Sequence, residues 1–90
     1  MAKFYKQNRE IAWRLVDGEA VLVDPEGSYV RVLNETGSVI WKLLKKKSNL
    51  TGLAAKLSIE YGRPARSVMP DIRQFLSAMV KKGLVTETRA

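Results

Sequence analysis

Side chains able to do covalent or metal chemistry are sparse in this sequence, and their spacing excludes more than it permits. There is no histidine and no cysteine, so the usual zinc sites, and nucleophile arrangements pairing serine or cysteine with histidine, cannot be assembled. The nine acidic residues stand singly, with neither a DxD nor an ExxE pair to suggest a metal site or an acid/base couple. Neither GxGxxG nor a GxxxxGK loop is present to cradle phosphate. The expectation is a protein that is no enzyme and takes no metal and no cofactor. Asn49-Leu50-Thr51 matches the glycosylation sequon, but without a secretion signal so short a match is read as chance. What remains is charge: sixteen lysines and arginines against nine acids give a net +7, which suits nucleic acid, an acidic peptide or an acidic protein partner. The densest run is Lys45, Lys46 and Lys47, for which a solvated helix end matched to the helix dipole is the simplest account.

At 90 residues the chain suits one domain spanning residues 1–90, burying roughly 60–65% of the surface its unfolded form exposes. Lack of cysteine removes any disulfide framework and is compatible with a reducing compartment. The first ten residues, MAKFYKQNRE, hold no apolar run of signal-peptide length, and no stretch approaches the ~18 apolar residues of a membrane span. A soluble, cytoplasmic protein without a membrane partner is expected, with residues 1–10 a flexible extension and residues 86–90 a tail.

Within the domain the apolar period changes once. Up to Leu33 apolar residues come in bursts, IAWRLV, AVLV and YVRVL, separated by Asp17-Gly18 and by Asp24-Pro25-Glu26-Gly27, both turn signals. This reads as a three-stranded antiparallel meander whose third strand turns Tyr29, Arg31 and Leu33 to one face and Val30 and Val32 to the other. Beyond Asn34, an N-cap, the period is helical. A first helix is expected over residues 35–46, with Val39, Ile40, Leu43 and Leu44 on its buried stripe and Trp41 on its flank. A second is expected from a Thr51 N-cap to Tyr61, with Gly62 as C-cap and Leu53, Ala54, Leu57 and Tyr61 inward. A third, over residues 68–82, is expected after Ser67 as N-cap, carrying Val68, Ile72, Phe75, Leu76 and Met79 inward. That placement keeps Pro70 in the first turn; a start at Pro64 would put it deep inside, where it should kink the helix. Gly83 ends the helix, and Leu84-Val85 folds back as a short hydrophobic closure. The fold class is α+β, winged helix-turn-helix-like, a three-stranded antiparallel sheet followed by three helices.

At this level the residues resemble the PqqD-like family, named for the pyrroloquinoline quinone biosynthesis protein D. The matching positions are Leu33-Asn34-Glu35-Thr36, Ile40-Trp41, Tyr61-Gly62, Asp71-Ile72 and Lys82-Gly83-Leu84, in the family's order and spacing across about residues 21–85. Pro70 departs from the pattern, since the family usually carries a helix-forming residue there. The resemblance implies a chaperone-like recognition element of ribosomally made, modified peptides. It binds the leader segment of a precursor peptide by strand addition to the third strand and presents it to a modifying enzyme, a radical S-adenosylmethionine protein or, in lasso-peptide relatives, a leader peptidase.

On that reading Tyr29, Val30, Arg31, Val32 and Leu33 form the docking edge, and Asp71, Gln74, Phe75 and Ala78 line a groove beside it. Other readings stand next to these. Asp71 either caps its own helix or receives a hydroxyl or cation of the leader, and Phe75 belongs either to the core or to the groove. The competing function is a winged-helix DNA-binding regulator. Against it, Lys56, Arg66 and Arg73 are scattered over the second and third helices, and Gln74 is the one amide there suited to reading bases, so no nucleic-acid partner is expected.

Overall fold

The computed structural model describes residues 2–89. Along the chain it forms β1 (Lys3–Gln7), β2 (Ala12–Val16), β3 (Glu19–Val23), β4 (Val30–Val32), α1 (Glu35–Leu43), α2 (Leu50–Tyr61), α3 (Ala65–Lys81) and β5 (Val85–Arg89). Strands β2, β3 and β4 make an antiparallel sheet in that order, and β1 pairs with β5 in a separate antiparallel ribbon. The expected α+β arrangement, a three-stranded sheet followed by three helices, is therefore present.

Both turns close as their residues favour. Asp17 and Gly18 take φ of 52° and 82°, the two left-handed residues of a tight hairpin. Asp24 closes the second turn twice: its carbonyl accepts from the Gly27 N–H at 3.0 Å and its carboxylate from the Ser28 N–H at 2.8 Å.

Helices α1 and α2 open on the same four-residue device, Asn-x-Thr-Gly. Asn34 Oδ1 accepts from the Gly37 N–H and Asn49 Oδ1 from the Gly52 N–H, each at 2.7 Å. The second cap is thus Asn49, two residues before the expected Thr51. Gly62, at φ 64°, ends α2 as anticipated.

Helix α1 stops at Leu43, short of the expected residue 46, because the chain beyond it is drawn onto β1. The Gln7 N–H donates to the Leu44 carbonyl at 2.8 Å, its side-chain amide donates to the Trp41 carbonyl at 2.8 Å, and Tyr5 and Ser48 exchange both backbone bonds at 2.7 and 2.9 Å. Lys45, Lys46 and Lys47 consequently lie outside the helix, and Lys42 is the cation in its last turn. Two of the three rest on aromatic faces, Lys45 Nζ 5.3 Å from the Trp13 ring and Lys47 Nζ 5.0 Å from the Phe4 ring.

Helix α3 begins at Ala65 rather than at residue 68, so Pro70 sits at its sixth position. Ser67 is not an N-cap; its N–H and hydroxyl both donate to the Pro64 carbonyl, at 2.9 and 3.0 Å. Burial explains the tolerance: Val68, Ile72, Leu76 and Met79 are all interior, and the turn carrying Val68 must be helical for that stripe to be continuous.

The ends of the chain also differ from expectation. Residues 3–7, read as part of a flexible extension, and residues 85–89, which include most of the supposed tail, are the two strands of the ribbon, with Lys3 opposite Arg89 and Gln7 opposite Val85. Asn8 fastens the ribbon's inner end, its N–H to the Leu84 carbonyl and its side chain to the Gly83 carbonyl.

The core is built on Trp41, which is fully buried at the centre of α1's inner face rather than on its flank. Trp13 meets it edge to face at 6.0 Å, and Ala20, Leu22, Ile40, Leu44, Leu53, Leu57 and Ile72 are among the residues packed in the interior around it. Ser38 is the one buried polar residue among the described residues. Its hydroxyl accepts from the Ala20 N–H at 2.8 Å and donates to the Leu33 carbonyl at 3.2 Å, standing in for the rung that β3 and β4 would make where the chain leaves the sheet. Ser38→Ala should lower the unfolding free energy by about 2–4 kcal/mol, since it strands a buried donor and a buried acceptor together. Urea unfolding measures this; a loss under about 1 kcal/mol would mean that both groups find other partners.

Candidate functional site at the open sheet edge

Strand β4 pairs with β3 alone among the described residues, so its other edge is open. Register decides which groups face that edge. The Leu33 N–H donates to the Ala20 carbonyl at 2.9 Å, and the Tyr29 carbonyl accepts from the Asp24 N–H at 3.2 Å. Hydrogen-bonded pairs alternate along an antiparallel ladder, so Tyr29, Arg31 and Leu33 turn their main-chain groups toward β3. Val30 and Val32 turn theirs outward. The edge accordingly offers two N–H and two C=O groups in strand geometry, with no described residue hydrogen-bonded to them.

The side chains follow the other alternation. Arg31 lies opposite the buried Leu22, on the inner face, and is half-buried with its guanidinium 6.0 Å from the Tyr29 ring. Leu33, on the same face, packs against the core. Val30 and Val32 stand on the outer face at 63% and 61% exposure, and Tyr29 at the strand's entrance reaches 66%.

One residue of α3 reaches this region. Phe75 is half-buried: it packs on the core and keeps part of its surface exposed. Gly37 permits its position, because a side chain there would place Cβ 3.1 Å from Phe75 Cε1, 3.0 Å from Asn34 Oδ1 and 3.6 Å from Leu33 Cβ. The glycine therefore brings the middle of α3 against the junction between β4 and α1. Nothing in a one-sequence reading singled Gly37 out beyond its place after an Asn cap.

Asp71, Gln74 and Ala78 are exposed and share Phe75's flank of α3 by helical spacing. They make no hydrogen bond or ion pair with β4 among the described residues. Asp71 is the seventh residue of α3, two turns from its start, and so does not cap that helix.

A cleft of about 550 Å³ lies elsewhere, between the ribbon, the start of α2 and the opposite flank of α3. Tyr5, Arg73, Ser77 and Glu87 are among its lining, and none of the nine expected site residues is. Burial there raises the Tyr5 phenol above its ordinary 10.0, with the Glu87 carboxylate adding to the effect and Arg73 and Arg89 opposing it. Glu87 lies 4.0 Å from Arg89, the one ion pair among the described residues, so most of the positive charge is unpaired. No group of three or more histidine, cysteine or acidic residues is placed to hold a metal among the described residues, and no described helix is long and apolar enough to cross a membrane.

Residues 19–85 match the family described as coenzyme PQQ synthesis protein D, PqqD. Two solved structures share the fold. One is TbiB1 in complex with the TbiA(beta) leader peptide, 28% identical, covering 89% of this chain and 93% of its own, with a TM-score of 0.78. The other is lasso peptide synthetase B1 complexed with the leader peptide, 22% identical, covering 91% of this chain and 96% of its own, also at 0.78. No curated protein matches the chain.

The edge assignment can be tested without a ligand. Amide hydrogen exchange should find the Arg31 and Leu33 N–H groups protected while those of Val30 and Val32 exchange at close to open-chain rates. Equal protection along all four would mean that the edge is covered.

Proposed function

Because the chain belongs to the PqqD family, we propose that it recognises the leader segment of a ribosomally made precursor peptide and presents that peptide to a separate modifying enzyme. The leader adds to β4 as a further strand, taking its main-chain bonds from Val30 and Val32. Its inward side chains enter the space between β4 and α3, against Tyr29, Arg31, Leu33 and Phe75, with Asp71, Gln74 and Ala78 along the rim. The observation that carries this reading is the open β4 edge, whose four outward main-chain groups are the requirement for strand addition. Support also comes from the similar structures, both of which are complexes with leader peptides.

The domain does no chemistry itself in this reading. It works without a metal or cofactor, in the cytoplasm, beside a radical S-adenosylmethionine enzyme or a leader peptidase that acts on the presented precursor. Its seven excess positive charges steer an acidic leader or enzyme surface at long range. They are also the observation that favours the second reading, a DNA-binding regulator, which salt separates from the first. Contacts to about six phosphates would lose roughly 10³ in affinity between 50 and 200 mM salt. Strand addition into a partly apolar groove would lose far less.

Titrating isotope-labelled protein with the leader encoded beside its gene should shift resonances of β4 and of the exposed flank of α3. Val30→Pro removes an outward N–H without breaking a rung to β3, and should weaken leader binding by roughly tenfold or more while leaving the fold intact. Saturation without shifts in β4 or α3 would end the proposal. Sequence-selective, sub-micromolar binding of duplex DNA at physiological salt would replace it with the regulator.

A further inference from the structure

Edge strands in soluble proteins are normally blunted by charge, proline or a covering segment, because bare main-chain groups beside apolar side chains invite aggregation. Strand β4 has neither a proline nor, among the described residues, a covering segment. Its one charged residue, Arg31, is turned to the inner face, and its two outward-bonding residues are valines standing free on the outer face.

Those valines do not stand alone. Register places Val30 beside Val23 and Ala12 in one row across the outer face, and Val32 beside Val21 and Arg14 in the next. Both rows thus end in an exposed valine at the open edge. Any strand added there, parallel or antiparallel, must continue the sheet's alternation: residues level with Val30 and Val32 project to the outer face, and the residue between them projects inward at the level of Arg31. Arg31 has no carboxylate within ion-pair distance among the described residues, and its guanidinium, 6.0 Å from the Tyr29 ring, lies on the inner face that this middle side chain would share.

We infer that the leader is read on both faces of the added strand, through a triplet with a β-branched or aromatic residue on each side of an acidic one. The outer pair extends the valine rows, and the acidic residue meets Arg31. This rests on the strand-addition reading but goes beyond it, since main-chain pairing with a groove on one side would leave the outward residues of the leader free to vary.

The test crosses variants of the protein with variants of the leader encoded beside its gene, reading dissociation constants by calorimetry. Val30→Thr with Val32→Thr keeps shape and strand preference while making the outer rows polar, and Arg31→Gln keeps length while removing charge. Two leader positions, two residues apart, should each lose roughly two- to fivefold on replacement by serine in wild-type protein, and little in the double-threonine variant. The acidic position between them should lose a similar factor on amidation in wild-type protein and little in Arg31→Gln. Leader binding that shifts β4 and weakens with Val30→Pro, yet ignores the double-threonine and Arg31→Gln changes, would overturn the two-faced readout and leave strand addition standing. Failure of Val30→Pro to affect binding would remove both.

Discussion

The buried hydroxyl of Ser38 is the constraint on which the arrangement of sheet and helices turns. Where β4 leaves the sheet to begin α1, the last pair keeps the bond from the Leu33 N–H to the Ala20 carbonyl but gives up the reciprocal one, and an abandoned N–H or carbonyl in the interior is costly. Here the hydroxyl enters the gap, accepting from Ala20 on β3 and donating to Leu33 at the end of β4. Because Ser38 sits on the inner face of α1, the relay also fixes how that helix lies on the sheet. Trp41, one turn on, is then placed to meet Trp13, and Gly37, one residue before, faces Phe75 of α3. The relation between β4 and α3 follows from a helix that is hydrogen-bonded into the sheet it leaves.

The parts legible in the sequence were those governed by neighbouring residues. Asp17-Gly18 and Asp24 to Gly27 form their turns, Asn34 caps α1, Gly62 ends α2, and alternation in YVRVL assigns the two faces of β4 correctly. What escaped depends on partners far along the chain. The ribbon joins KFYKQ to VTETR, two charged segments without an apolar alternation, and only the closeness of their ends in the fold makes them strands. Helix α1 ends early because β1, more than thirty residues upstream, takes its last carbonyls. The local penalty of Pro70 argues for a later start of α3, whereas burial of the stripe through Val68 outweighs it. One signal is local: Asn34 and Asn49 open the same Asn-x-Thr-Gly pattern, and the repeat marks Asn49 rather than Thr51 as the second cap.

The candidate site shows the same division. Its strand half could be read from a five-residue alternation, while its helix half needed Gly37 and Phe75, brought together by tertiary packing. Gln74, Asp71 and Ala78 follow from Phe75 by helical spacing alone, which fixes their flank but not any contact with the strand.

The ribbon of β1 and β5 carries one more consequence. Lys3 lies directly across from Arg89, so the two ends of the described chain are separated by about one strand spacing, ~5 Å. A domain whose entrance and exit coincide can be spliced into a loop of a host protein without stretching either connection, and its β4 edge, on a different sheet, would stay clear of the junction. The same geometry makes the module portable: alone or within a longer chain, it would keep the same exposed edge.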